Sequence, residues 1–392
     1  MTTPAGFDFL SVPKVLFGRG RVVELGNLAA GMGSEALLVS NVCRLPASGT
    51  PPGRAAERLS TAGLCAMWCP VAGEPTVESV AWALDMARRH DCDVVVAVGG
   101  GSAIDTAKAV AALLTNGGEP LDYMEVVGAG RKITRPAAPW IAVPTTAGTG
   151  AEVTKNAVIA CPERRYKASI RGEQLLASAV IVDAELHVGV PPDVTASSGM
   201  DALCQLIESY VCRRANPLTD ALAAAGIALA ARSLRRAFAD GADLDARQDM
   251  ALAALMSGVC LTSAGLGAVH GFAAPLGANF PIPHGTVCAA LLAGVCRANI
   301  AALRAQDTGH PVLARYAEVG RLLSAKARAA DDCVRSLRDL AGELGIPRLG
   351  TFGLTDADVP NMVELAKKSS SIRGNPVELN DAALADVLRE AI

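Results

Sequence analysis

From about Lys14 to Asp183, short β-branched runs alternate with amphipathic helical stretches, and that alternation constrains the fold more than any other feature. The runs are "KVLFG", "EALLVSN", "DVVVAVGGG", "WIAVPTT" and "AVIVDAEL". Strands that alternate with helices are parallel and joined by crossover connections. The run "VVVAV" carries no polar alternation, as a strand covered on both faces requires. After "GVPPDV" the strand signals stop. Ala- and Leu-rich helical segments follow, among them "DALAAAGIALAARSLRRAFA" and "RYAEVGRLLSAKARAADDCVRSLRDLAGELG". The expected organisation is an α/β domain over residues 1–190 and an all-helical domain over 191–392, with the boundary near Pro191–Pro192. A chain of 392 residues is too long for one core, and 51% hydrophobic residues supply two.

The same composition narrows the function. A net charge of −3, with both signs interspersed, offers no footprint for nucleic acid or an anionic membrane. No apolar run approaches the about 20 residues of a membrane span, and the start "MTTPAGFDFLSVPKVLFG" lacks the pattern of a signal peptide. Eleven scattered cysteines, with "CAMWC" the one close pair in the N-terminal part, read as buried thiols of a reduced cytoplasmic protein.

Two loops carry the first chemical signal. In "DVVVAVGGGSAIDTAK" a buried strand runs into Gly99, Gly100, Gly101 and Ser102, and a helix opens at once. Glycines let a phosphate approach the backbone, and the helix N-terminus attracts its charge. The plainer reading is a tight strand–helix turn. A second loop, "VPTTAGTGAEVT", is rich in hydroxyls and glycine and also follows a strand. Two such loops at the carboxyl ends of parallel strands point to a nucleotide crevice, although G-x-G-x-x-G is absent.

The second signal lies in the helical half. In "GMDALCQLIESYV", Asp201 and Gln205 stand four residues apart on one helix face. In "GAVHGFAAPLGANFPIPHGTVCAALL" His270 and His284 are two of only five histidines, and three prolines bend the segment between them. An acid and two imidazoles suit a divalent metal with an open position. An acid that complements a helix start and two core histidines is the bland alternative.

Together "GGGSAIDTAK", "PTTAGTGAEVT", "GMDALCQLIESYV", "VHGFAAPLG", "PHG" and "GNPVEL" occur in an order that resembles the iron-containing alcohol dehydrogenase family, over nearly the whole chain. The resemblance implies a dehydroquinate-synthase-like fold: an α/β dinucleotide-binding domain, then an all-α domain, with a metal at the domain cleft. It implies hydride transfer between an alcohol and NAD or NADP, NAD slightly favoured, assisted by Fe2+ or Zn2+.

Carried over by motif, Asp201, His270 and His284 match three family metal ligands, and Gln205 stands where the fourth, usually His, would be. Ala274 replaces another histidine that many members place near the nicotinamide. Gly99, Gly100, Gly101 and Ser102 would hold the pyrophosphate, with Asp105 nearby. Thr145, Thr146 and Thr149 would line the nucleotide, and Lys167 resembles a cofactor-contacting lysine. Asn41 occupies the position where NAD-using relatives often place an Asp against the ribose hydroxyls. The expected partners are a small alcohol or aldehyde and a second copy of the chain, with neither nucleic acid nor membrane. The rival readings are a metal-free reductase like the maleylacetate reductases, a zinc-dependent lyase or polyol-phosphate dehydrogenase, and a non-catalytic NAD(P)-binding protein.

Overall fold

The structure, a computed structural model, describes residues 6–41 and 47–392. Cys43 and the first five residues lie outside them. The chain forms two compact units, Ser11–Val190 and Pro191–Ile392, and the described residues before Ser11 group with the second, helical unit rather than with the α/β domain that residues 1–190 were expected to form.

The first unit is built on a six-stranded sheet. Its elements run β1 (Val15–Phe17), α1 (Leu25–Ala30), β2 (Glu35–Ser40), α2 (Pro51–Thr61), β3 (Cys65–Pro70), α3 (Val77–Arg89), β4 (Val94–Gly99), α4 (Gly101–Asn116), α5 (Pro120–Tyr123) and β5 (Trp140–Pro144). A hairpin of β6 (Asn156–Cys161) and β7 (Tyr166–Arg171) follows, then β8 (Ala179–Val182). The sheet order is β1-β8-β5-β4-β2-β3, with every pairing parallel, while β6 and β7 form a separate antiparallel pair. All residues of β4 are buried, which explains its unbroken apolar run. Val94, Val96 and Val98 pack with Leu25 of α1 and Leu59 of α2 on one face.

Three elements were not legible from hydrophobic pattern. β3 is an edge strand whose first two residues are exposed, so "CAMWCP" shows no buried alternation. β6 and β7 lie between two runs that the alternation treats as successive sheet strands. Of the ten described cysteines nine are buried and none is bonded to another, but Cys65, on β3, is exposed.

Lys108, on α4, is fully buried, and it ties this helix to the loop that leaves β5. Its Nζ donates to the carbonyls of Ala151 and Asn156, both at 2.8 Å, and to Thr154 Oγ1 at 2.7 Å, and it lies 3.5 Å from Asp105. Burial drives its pKa below the ordinary lysine value, against the pull of Asp105.

The second unit is helical: α6 (Pro192–Val211), α7 (Pro217–Ala239), α8 (Leu244–Ala264), α9 (Ala268–Asn279), α10 (His284–Gln306), α11 (Pro311–Leu323), α12 (Ala330–Glu343), α13 (Val359–Lys368) and α14 (Asp381–Ala391). The segment from Arg315 to Gly345 is two helices, broken at residues 324–329. Caps start several of them: Asn216 Oδ1 accepts from the amides of Leu218 and Thr219 at 3.1 Å, and Asp243 Oδ1 from Ala246 at 3.0 Å.

The expectation of no span-length apolar run needs one correction. By length and composition α10 could cross a bilayer, but 72% of its most apolar stretch is buried inside the unit, against α6, α9, α12 and α14. It is the core helix of the bundle.

Replacing the buried amine tests the clamp. Lys108→Met removes the donor that three acceptors share and the cation beside the Asp105 carboxylate, and should lower the unfolding free energy by about 3 kcal/mol. Urea unfolding followed by circular dichroism measures it. A loss under about 0.5 kcal/mol, the scatter of ordinary surface changes, would mean that Lys108 does not hold the loop.

Candidate metal and nucleotide sites

Between Gly199 and Ser209 α6 is buried on every face, so its polar side chains must find partners inside the bundle. Asp201, Gln205 and Glu208 fall at i, i+4 and i+7, which places them on one stripe.

Glu208 is fully spoken for. Its Oε1 accepts from the amide of Val269 at 2.7 Å, and its Oε2 lies 2.7 Å from His270 Nδ1. The carboxylate therefore anchors the first turn of α9 and fixes the imidazole with Nε2 directed elsewhere. Behind it Asn375, from "GNPVEL", accepts from the amide of Ala268 at 3.2 Å and is held by Asn299 and the carbonyl of Val377. A side chain at Gly267 would crowd both Glu208 and Asn375.

Asp201 is different. Gln205 Nε2 donates to its Oδ2 at 3.2 Å, but its buried Oδ1 makes no hydrogen bond of acceptable geometry. That oxygen faces His270 Nε2 at 3.3 Å and His284 Nε2 at 3.7 Å. His284 opens α10, and Gly285 beside it lets this helix approach α6: a Cβ there would run into the carbonyl of Ser197.

One turn further, the buried Cys288 places Sγ 3.7 Å from His270 Nε2 and 3.8 Å from His284 Nε2. Donor atoms of Asp201, His270, His284 and Cys288 all lie within 4.8 Å of one another, so these four could hold a metal ion. Cys204 Sγ lies 3.9 Å from His270 Nδ1 and hydrogen-bonds Cys288.

The electrostatics express one demand. Burial pushes the Asp201 carboxyl up, with Cys288 adding to it and the two imidazoles opposing. Burial works against protonating His270, but Cys288, Asp201 and Glu208 hold its pKa well above the ordinary imidazole value. His284 rises to about 9 although burial opposes the charge, because Cys288 and Asp201 lie beside it. Burial disfavours the Cys288 thiolate, yet the hydrogen bond from Cys204 and the two imidazoles bring its pKa well below the thiol range. The cluster gathers positive charge around buried acids.

Gln205 is placed on the stripe, but both ends of its amide are engaged. Oε1 accepts from Ser257 Oγ at 2.8 Å while Nε2 holds Asp201. Turning the amide over would set its oxygen against a carboxylate oxygen. Ala274, half-buried on α9, presents only a methyl group one turn beyond His270.

In the α/β unit the two glycine-rich loops meet. Gly100 caps α4 without a side-chain bond, so the amides of its first turn have no capping side chain. A Cβ at Gly100 would touch Thr146 Oγ1 at 3.1 Å and one at Gly101 would touch Thr149 Oγ1 at 3.0 Å, while Thr145 follows β5 directly. Ser102 lies in the first turn of α4, half-buried. Asn41 Oδ1 accepts from the amide of Gly100 at 2.7 Å and fills the space a Cβ at Gly99 would need.

Two residues expected near the cofactor have structural partners. The Asp105 carboxylate accepts from the Val158 amide at 3.0 Å and pairs with Lys108, and Lys167 pairs with Glu74.

Glu208, Cys204, Ser257 and Cys288 carried no functional signal that the sequence pattern picked out. Glu208 was visible as the third member of the stripe, and Cys288 as a thiol one turn after His284. Ser257 left no local signal.

Comparison with known proteins supplies the family. Residues 13–184 match the model of the iron-containing alcohol dehydrogenases, and residues 195–392 match that of the C-terminal domain of the Fe-containing alcohol dehydrogenase family. A choline dehydrogenase of Bacillus subtilis is 36% identical over 384 residues, 96% of this chain and 93% of that protein. Among solved structures, a 1,3-propanediol oxidoreductase superimposes with a TM-score of 0.90 at 33% identity, covering 99% of this chain and 100% of the other. A sulfoacetaldehyde reductase of Bifidobacterium kashiwanohense in complex with NAD+ reaches 0.85 at 29%, covering 99% of each. The chain belongs to the iron-containing alcohol dehydrogenase family.

Proposed function

We propose that the chain interconverts an alcohol and its aldehyde or ketone, using NAD(P) and one divalent metal held by Asp201, His270 and His284. The observation that carries this reading is the unsatisfied buried Oδ1 of Asp201, turned towards two imidazole nitrogens at 3.3 and 3.7 Å. When bound, the ion supplies a Lewis acid for the substrate oxygen and the nicotinamide carries the hydride. The protein contributes positions. Glu208 holds the Nδ1 proton of His270, so that Nε2 presents its lone pair. Gln205 fixes Asp201 by its second oxygen, which makes it a positioning residue rather than the ligand its place in the motif suggested.

The amides that open α4, Ser102 and the threonines 145, 146 and 149 would take the phosphates and sugar of the dinucleotide, the positive end of the helix favouring their charge. Asp105 and Lys167 support the loops around them. With alanine at 274, the substrate proton leaves through water, a ribose hydroxyl or another side chain. Nine buried thiols fit a reducing compartment such as the cytoplasm. A homodimer fits the open outer edge of β1, where Val15 is 40% exposed.

Dialysis against chelator should abolish turnover in an alcohol and aldehyde panel read at the nicotinamide absorbance, and Zn2+ or Fe2+ should restore it. His270→Ala should lose bound metal and fall at least about a hundredfold, because no ion then assists the substrate oxygen. Full activity of stripped protein would favour the metal-free reductase instead.

For the cofactor, neutral Asn41 does not repel a 2′-phosphate, so discrimination should be weak. Asn41→Asp keeps an acceptor for the Gly100 amide, adds a charge, and should shift the ratio of kcat/KM towards NAD. An unchanged ratio would remove Asn41 from the ribose site. Light scattering at micromolar concentration should give twice the chain mass, and a monomer would refute the dimer.

A further inference from the structure

We infer that Cys288 is the fourth protein ligand of the metal, in place of the imidazole that α6 lacks, so that the donor set is one carboxylate, two imidazoles and one thiolate. The inference rests on the metal reading above and adds a donor to it.

Distances carry the argument. An ion with tetrahedral bonds of about 2.0–2.3 Å separates its ligand atoms by about 3.3–3.8 Å. Four edges of the cluster fall in that range. Asp201 Oδ1 lies 3.3 Å from His270 Nε2 and 3.7 Å from His284 Nε2, and Cys288 Sγ lies 3.7 and 3.8 Å from the same two nitrogens. The two nitrogen–oxygen distances are wide for hydrogen bonds, the two sulfur distances lie at the long end for sulfur, and all four suit neighbours around one centre.

The second argument is elimination on the stripe of α6. Gln205 spends its oxygen on Ser257 and its nitrogen on Asp201, and a flipped amide would oppose two acceptors. Cys204 Sγ reaches His270 at Nδ1, the nitrogen that Glu208 already holds, and hydrogen-bonds Cys288 from outside the four-donor cluster. Cys288 is the thiol on the Nε2 side. Helix periodicity puts it there: His284 and Cys288 are i and i+4 on α10, the spacing with which a helix offers two ligands to one ion.

The chemistry changes accordingly. On coordination the protons that Cys288 and the two imidazoles share pass to solvent and a sulfur lone pair bonds the ion, with no change of oxidation state. One soft thiolate among N and O donors moves preference towards Zn2+ and Co2+ and away from Mg2+ and Mn2+. With four protein donors the substrate oxygen would enter as a fifth ligand, and the thiolate, which donates more charge than an amide, makes the ion a milder Lewis acid.

Cobalt(II) reports the ligand directly. Metal-free full-length protein is titrated with CoCl2, with bound cobalt counted by equilibrium dialysis and the spectrum recorded. A thiolate ligand gives a sulfur-to-cobalt charge-transfer band in the near ultraviolet at one equivalent. The band should appear in wild type, in Cys204→Ser and in Gln205→Ala, and be absent from Cys288→Ser that still binds cobalt and keeps its helical circular dichroism. Cys288→Ser should also bind Zn2+ about tenfold or more weakly, with Mn2+ affected less.

Stoichiometric cobalt in wild type without the band overturns the thiolate and leaves the three-ligand reading intact. That outcome is read on the wild type and needs no variant to fold. A band that survives in Cys288→Ser and vanishes in Cys204→Ser assigns the wrong sulfur and also overturns it. No cobalt bound to wild type overturns both the inference and the metal reading beneath it.

Discussion

A helix buried on every face cannot carry charged side chains without partners, and α6 carries two carboxylates inside the helical unit. Everything around the site answers that constraint. One carboxylate, Glu208, is satisfied by protein alone, through the amide of Val269 and the ring of His270. The other, Asp201, is satisfied on one oxygen only. A buried carboxylate oxygen without a hydrogen bond, facing two imidazoles and a thiol, is the observation that supports the proposed seat for a cation.

The supporting structure is arranged to hold that seat still. Asn375 and Asn299 grip the start of α9 and so locate His270. Gly285 brings the first turn of α10 against α6, which sets His284 and Cys288 beside Asp201. Gln205 and Ser257 fix the rotamer of the carboxylate. Each is a small device, but a ligand atom displaced by about half an ångström no longer meets its neighbours around one ion. In the α/β unit Lys108 has the same part, clamping the loop after β5 to the helix that follows the glycine turn.

The sequence exposed what local pattern encodes. The parallel strands showed because buried strands are unbroken apolar runs, and the change to helices showed because the period changed. The edge strand β3 and the hairpin β6–β7 did not, since their residues are partly exposed and keep no strict alternation. Asp201, His270 and His284 stood out through rarity and motif, and the structure brings them together. Gln205 stands at the expected position, but position on a helix fixes where a side chain starts and leaves open which end of its amide faces the neighbours. Asp105 and Lys167 were legible as charges beside the glycine loop, but their protein partners Val158, Lys108 and Glu74 were not, because those pairings are long-range or depend on the fold of the loops. Cys288 was hidden for the opposite reason: in a chain with eleven cysteines, one more buried thiol carries no information until it is found beside two imidazoles.

The central claim is that Asp201 is half-satisfied because it waits for a metal ion. Thermal unfolding of chelator-stripped protein with and without a saturating excess of Zn2+ tests it most directly, because an ion that binds only the folded state stabilises it in proportion to occupancy. The account predicts a clear rise in Tm on adding Zn2+ to the wild type and little or none for Asp201→Asn. A wild-type Tm indifferent to the ion, or an equal rise in Asp201→Asn, would contradict it.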